Sequence, residues 1–463
     1  MTQLTCFKSN DIRGRLSDEI TPDIAYRIGL AFADHLKPSS IVVGCDGTVA
    51  SNLLKDELVQ GLVNSGVDVI DLGLLGKEEL FYSLVKLNPD GALMVSSAVS
   101  LVNCYVVKLL GKDLLPINAH NGLLDIKHLV QKLTHEKRNV AAKGRLEQVS
   151  YRQHYVDRLF DNIAWKDIKP MKLVVNTAYG VASEIIDELE TRFRSFGIPI
   201  SLIKLHHRDN HGLDTRVSDF PLFDIRLDTA KLVVASGADM GISWDNDFNR
   251  CFIFDDKGRY VEPYYMVGLL AEAMLLKHPG MKVVHDHVLY WNTRQVIAAN
   301  GGIPVAAKRG RTHFQKEMLD SNALYGGESS AYHYFKDFTY CGSGMIPWLI
   351  IAEYMSATNQ KLSIILSEKI CAYPTSGEIK ITSSDPKLAV VRLLNYYKTT
   401  YSYKNLVDGI GLEFEDYSQA WRFNLRMSTK LQVLKLNVEA DSDKQLVDDK
   451  VREVIAVLKK GSN

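Results

Sequence analysis

The sequence predicts an α/β protein with several doubly wound, largely parallel sheets and a smaller α+β domain at its end. Three observations carry this. In the first third, continuous Val/Ile/Leu runs alternate with helical stretches. Strands buried on both faces by crossover helices read this way. The same rhythm returns at 171–205 and at 261–305, while the order of elements changes after about residue 378.

The elements follow from local chemistry. Thr21 can cap a helix with Pro22 at its first position, and Ile24, Ile28 and Phe32 then line one face. The strand SIVVG (40–44) follows, then a helix through Leu53–Leu62 and the strand VDVIDLG (67–73). A helix over 79–86 leads to the strand GALMVS, which starts at Gly91. The second unit reads MKLVVN, the helix VASEIIDELETRFRSFG and PISLIKL. The third reads a helix around Met266–Leu276, MKVVHD, the helix WNTRQVIAANG and IPVAA. The last segment gives EIKITS, a helix over Pro386–Tyr397, WRFNLRMS, LQVLKLNVEA and a helix near Asp443–Lys460.

Length and composition narrow the function. At 463 residues three or four domains are expected. Lys plus Arg and Asp plus Glu both total 55, so no global field draws nucleic acid or acidic membranes. No apolar run reaches membrane-span length, and MTQLTCFKSNDIRG lacks the apolar region of a signal peptide. The six cysteines form no CxxC pair and read as buried reduced thiols. A soluble protein of a reducing cytoplasm is expected.

Several segments could carry chemistry. In GALMVSSAVSLVNCYVVK a buried strand runs into a Ser-rich turn, with Ala98 at its centre and Lys108 downstream. In SWDNDFNR, Asp245, Asp247 and Asn249 alternate along a loop, so three oxygens can converge on a hard cation, with Arg250 placed to hold an anion. The same spacing suits an Asx-rich turn closing a hairpin. GGESSAYHYF offers Glu328, Ser330 and His333 for hydroxyl recognition, or a structural turn. AKRGRTHF places Lys308, Arg309 and Arg311 around Gly310, suited to a phosphate or to solvent. RFNLRMSTK groups Arg426, Ser428, Thr429 and Lys430, again suited to a phosphate or an exposed turn. LHHRDNH and His285-Asp286-His287 lack the spacing of a zinc site.

In this order the segments resemble the α-D-phosphohexomutase family, of the bacterial phosphomannomutase type that supplies GDP-mannose for polysaccharides. CFKSNDIRGRL, VDVIDLGLLGKEELFYS, ADMGIS, YGGE, CGSGMIPWL and WRFNLR carry the likeness nearly end to end. The resemblance implies four domains, three doubly wound α/β and a C-terminal α+β. They would span 1–150, 151–256, 257–368 and 369–463. It implies a phosphoserine that exchanges its phosphoryl group with a hexose phosphate through a bisphosphate, with Mg²⁺ bridging three Asp side chains and the phosphoserine. A hexose 1,6-bisphosphate would be the activator and a hexose phosphate the ligand; no protein partner, nucleic acid or membrane is implied.

Against the family's TASHNPxxYNGxK, counted back from Lys108, Ala98 stands at the serine, Val99 at the histidine, Ser100 at the asparagine and Leu101 at the proline. The metal motif DGDFDR reads DNDFNR, so Asp245 and Asp247 remain and Asn249 replaces the third Asp. Mg²⁺ should bind such a set weakly. SNTEP reads STKLQ; KTGH reads KRGR; HDPRL reads HDHVL, with Val288 at the arginine. Arg13, Arg250, Glu328, Ser330 and His333 match. The expectation is an impaired or inactive phosphomannomutase-like protein. The alternatives are an active mutase using Ser97 or Ser100, or a non-catalytic sugar-phosphate binding or partner protein.

Overall fold

The computed structural model describes residues 4–98, 103–112, 115–133, 142–161, 163–207, 222–245, 248–416, 419–428 and 432–460, without the side chains of 222–224. Val99, Ser100, Leu101, Asn246, Asp247, Thr429, Lys430 and His211 lie outside the described residues. The chain divides into two compact units. One comprises 1–166, 170–231 and 242–249; the other comprises 167–169, 232–241 and 250–463.

The first unit opens as expected. Thr21 Oγ1 accepts from the Ile24 N–H at 3.2 Å and caps the helix Pro22–Leu36, with Pro22 at its first turn. That helix packs on the helix Val49–Val63, where Gly29 and Gly61 let the two backbones meet. Beneath lies a six-stranded sheet. Ser40–Cys45 pairs in parallel with Asp68–Leu74 and with Gly91–Ser97. The sheet is less parallel than expected. Cys104–Gly111 folds straight back on Gly91–Ser97, and Ile12–Arg15 pairs antiparallel with Cys104–Gly111. The short connection after Ser97 has no room for a crossover helix, so only an antiparallel return is open. Later in this unit Met171–Asn176 and Ile200–Leu205 pair in parallel around the helix Ala182–Ser195.

In the second unit Lys282–His285 lies between Ile303–Ala306 and Tyr325–Gly327, parallel to both. The sheet ends in two short antiparallel strands, His333–Phe335 and Cys341–Gly342. The C-terminal sheet has five strands, all antiparallel, with Ala420–Met427 and Val433–Ala440 well inside it. Helices Pro386–Tyr396 and Lys444–Lys459 cover its core, where Phe414 and Trp421 stack with ring centroids 4.2 Å apart. This is the α+β segment read from the sequence. The helix Leu362–Ala372 precedes this segment. Five cysteines are buried and free; Cys371 is free but exposed, contrary to the expectation for all six. Cys371 falls on the outer side of that last helix rather than in an apolar run. Among the described residues no helix is long and apolar enough to cross a membrane.

Candidate phosphosugar site

Strand alternation fixes what surrounds Ala98. Gly91–Ser97 pairs with Cys104–Gly111 so that Met94 faces Lys108 and Ser96 faces Val106; Val106 in turn faces Arg13. Residues paired across a ladder share a face, and every second residue returns to it. Arg13, Lys108 and Ala98 therefore belong to one face of the sheet. Ala98 is buried in a small apolar cluster with Cys104 and Val106, and its N–H donates to the Cys104 carbonyl at 2.7 Å. Ser97 belongs to the opposite face, across from Tyr105. Its N–H and Oγ both donate to Asp46 Oδ2, at 2.6 and 2.7 Å. Arg13 donates to Asp11 at 2.8 Å.

The acidic loop follows the buried strand Met240–Trp244. Asp245 is buried, its carbonyl accepts from the Phe248 N–H at 2.9 Å, and Phe248 has φ 40°. The fully buried Phe248 ring lies against Gly76, where a Cβ would come within 1.9 Å of it; only glycine fits there. Asn249 is half-buried. Among the described residues no group of three His, Cys, Asp or Glu side chains could hold a metal ion.

In the second unit Arg250 bridges to Tyr332 through its backbone and sets its guanidinium 5.5 Å from that ring. Tyr332 belongs to the Glu328 loop, so Arg250, Glu328 and Ser330 come together. Glu328 is buried; Tyr334 donates to its Oε1 at 2.7 Å and Ser330 to its Oε2 at 3.0 Å. Burial raises the Glu328 carboxyl above its ordinary range, against the Tyr334 hydrogen bond. Arg309 Nε lies 3.8 Å from both Glu328 Oε2 and Asp286 Oδ2. The Arg309 N–H donates to the Asp408 carboxylate at 3.0 Å, and Ser329 donates to Asp286 through N–H and Oγ, each at 2.7 Å. The sequence had not assigned Arg309, Asp286, Tyr334 or Asp408 to this group. The KRGR segment was the available signal for Arg309.

Lys308 is exposed. Arg311 opens the helix Arg311–Ser321 and donates to Gln315 at 3.1 Å, and burial pulls it below the usual guanidinium range. His333 is fully buried; its Nδ1 is 2.7 Å from the Tyr325 hydroxyl, and burial pulls it down to about 3. Arg426 pairs with Glu378 at 2.7 Å, and the Ser428 N–H donates to the Val433 carbonyl at 2.9 Å. His206 and His207 pair with Asp228 and Asp187 instead of gathering around a metal.

Three family models match the chain. They are the phosphoglucomutase/phosphomannomutase alpha/beta/alpha domain I over 5–119, domain II over 153–258 and domain III over 262–373. A phosphomannomutase of Salmonella typhimurium is 41% identical over 99% of this chain and 100% of its own length. The chain belongs to the phosphoglucomutase/phosphomannomutase family. Another similar phosphohexomutase is a phosphomannomutase of Vibrio cholerae, 42% identical over 99% of both chains. A crystal structure of a family protein from Burkholderia thailandensis superposes with a TM-score of 0.79 at 23% identity, covering 100% of this chain and 99% of that one. The four-domain phosphohexomutase architecture expected from the resemblance is thereby met. The three matched segments contain the Ala98, Asp245 and Glu328 regions respectively.

Proposed function

We propose that this phosphomannomutase-like chain serves hexose-phosphate handling in GDP-mannose and surface-polysaccharide metabolism, with its own phosphoryl transfer impaired or absent. One observation carries the reading: the face bearing Arg13 and Lys108 ends in the methyl group of Ala98, while the Ser97 hydroxyl belongs to the opposite face and is held by Asp46. A one-residue slip would flip every side chain of a buried strand. Ser97 therefore makes a poor substitute for a phosphoserine. Covalent transfer without a nucleophile loses several orders of magnitude in rate.

The remaining assignments support this. Lys308, Arg311, Glu328, Ser330, His333, Arg426 and Ser428 would hold the sugar phosphate, with Arg309 added to them. Asp245, Asp247 and Asn249 would be the metal set. A bound Mg²⁺ would neutralise charge on a transferring phosphoryl group. This set offers at most two carboxylates and no phosphoserine oxygen, a poor fit to a cation that sheds water reluctantly.

Binding without turnover is the second reading, favoured by the Glu328 group, whose carboxylate is already oriented by Tyr334 and Ser330. A coupled assay with mannose 1-phosphate, Mg²⁺ and a hexose 1,6-bisphosphate tests both. Turnover should stay at background while sugar phosphate raises the unfolding temperature. Turnover equal to that of phosphomannomutases would overturn the impaired reading, and an unchanged unfolding temperature at millimolar ligand would overturn the binding one.

A further inference from the structure

A cavity of about 390 Å³ opens at the C-terminal ends of the strands Lys282–His285 and Ile303–Ala306. Ligands of open α/β sheets gather at such strand ends. The third-domain segment contributes His285, His287, Tyr290 and Arg294; the C-terminal segment contributes Asn405 and Glu413. None of these belongs to the Glu328 group.

The hydrogen bonds fix both imidazoles. His285 Nδ1 lies 2.8 Å from the Asp286 carbonyl, which only accepts, so Nδ1 carries the proton and Nε2 is an acceptor. Burial holds this ring neutral, at about 4. Asn405 Oδ1 accepts from the Val407 N–H at 2.8 Å, which turns its NH₂ toward His287 Nδ1, also at 2.8 Å. His287 Nδ1 is then an acceptor and Nε2 carries the proton. The cavity wall thus holds one imidazole acceptor and one imidazole donor, each in a single tautomer.

Charge adds a third element. Tyr290 donates its hydroxyl to Glu413, and buried Arg422 lies 3.7 Å from the same carboxylate, so Glu413 is already compensated. Arg294 is exposed and, among the described residues, has no ion-pair partner. Its guanidinium lies 5.7 Å from the Tyr290 ring centroid, and it lines a neighbouring cavity with Glu415 and Asp441, so it brings to this wall a cation that no described carboxylate holds at ion-pair distance. Pro304 and the Tyr403 ring supply apolar surface.

We propose that this cavity is a second ligand site, which takes a small phosphorylated polyol and joins the third domain to the C-terminal one. A hydroxyl both donates and accepts, matching the imidazole pair; a phosphate meets Arg294; the C–H face of a sugar meets Tyr403 and Pro304. The volume lies in the range of small-molecule pockets, about 300–1,000 Å³.

Isothermal titration of the full chain with mannose 6-phosphate, mannose and inorganic phosphate tests this. Wild type should take up two equivalents of mannose 6-phosphate. Arg294→Ala should lose one of them, its affinity falling on the order of tenfold or more, with the ligand-free unfolding temperature unchanged because Arg294 is exposed. Glu328→Gln should lose the other. Tyr403→Ala, on an exposed ring, should weaken mannose 6-phosphate more than inorganic phosphate. Two equivalents retained in Arg294→Ala would overturn the proposal. So would a single equivalent removed only by Glu328→Gln, which would leave the Glu328 reading standing. A single equivalent removed only by Arg294→Ala would support the cavity and defeat the Glu328 reading. Inorganic phosphate binding as tightly as mannose 6-phosphate would overturn the polyol assignment.

Discussion

At residue 98 a methyl group stands on the face shared with Arg13 and Lys108, and a single oxygen added there would meet different chemistry from one at residue 97. Ala98→Ser, incubated with a hexose 1,6-bisphosphate, is expected to gain the mass of one phosphoryl group by intact-protein mass spectrometry. Wild type is expected to gain none. A phosphorylated wild type mapped to Ser97 would show that Asp46 activates that hydroxyl and that the face argument fails. Two histidines make a separate residue-scale prediction. Burial holds His285 at about 4 and His333 at about 3, against 6.5 for an unperturbed ring. Between those values the unfolded chain binds more protons than the folded one. Their contribution is therefore intact above about pH 6.5 and is lost as pH falls toward the folded values. From about pH 7 to pH 5 the fold should lose about 2 kcal/mol for each, read from denaturant midpoints. His333→Gln should flatten that slope; an unchanged slope would mean that His333 protonates freely in the folded state.

At the scale of elements, the crossing of Pro22–Leu36 and Val49–Val63 has no spare volume. A Cβ on Gly61 would lie 2.3 Å from the Tyr26 carbonyl oxygen, and one on Gly29 the same distance from that of Leu58. Both obstacles are backbone, so the helices must separate. Gly61→Ala should cost about 1–3 kcal/mol of stability in urea titration, where a mid-helix alanine otherwise gains about 1. A stabilised variant would refute the close crossing. Elements of this kind were legible in the sequence because Thr21-Pro22, the Val/Ile/Leu runs and the late change of order each act locally. The antiparallel return of Cys104–Gly111 was not. Its apolar run suits either direction, and what decides direction is the length of a loop whose fold depends on its neighbours. The site divides in the same way. Ala98, Asn249 and the KRGR segment stood out in sequence, while Asp286 and Asp408 were silent because their partners, Ser329 and Arg309, lie 43 and 99 residues away.

At the scale of the whole molecule, the parts that hold the fold and the parts that would hold a phosphate can be separated. Arg422 shows how much the first kind is held in place. It is fully buried, donates to Glu439 at 2.6 Å and to the Val288 carbonyl at 2.8 Å, and lies 3.9 Å from the Tyr290 ring centroid. Glu439 in turn accepts from Tyr264 and from the Tyr290 N–H. Removing one partner of such a pair strands the other charge. Arg422→Met should cost about 3–5 kcal/mol in urea titration, whatever happens to catalysis. A neutral Arg422→Met would mean that the network is not needed to hold the C-terminal sheet on its neighbour.

Restoring the lost chemical groups is a separate test from breaking such a network. Ala98→Ser with Asn249→Asp would return a hydroxyl and a carboxylate to scaffolds already in place. Val288, and Arg309 and Arg311 of the KRGR segment, would still depart from the family pattern. Misplaced charge stabilisation alone costs on the order of a hundredfold or more in rate. The double variant should therefore become phosphorylated, yet turn over mannose 1-phosphate at least a hundredfold more slowly than phosphomannomutases in the coupled assay. Turnover at their rate would place the whole defect at residues 98 and 249. A double variant that folds but never takes up phosphate would show instead that the face shared by Arg13, Lys108 and residue 98 no longer forms a transfer site.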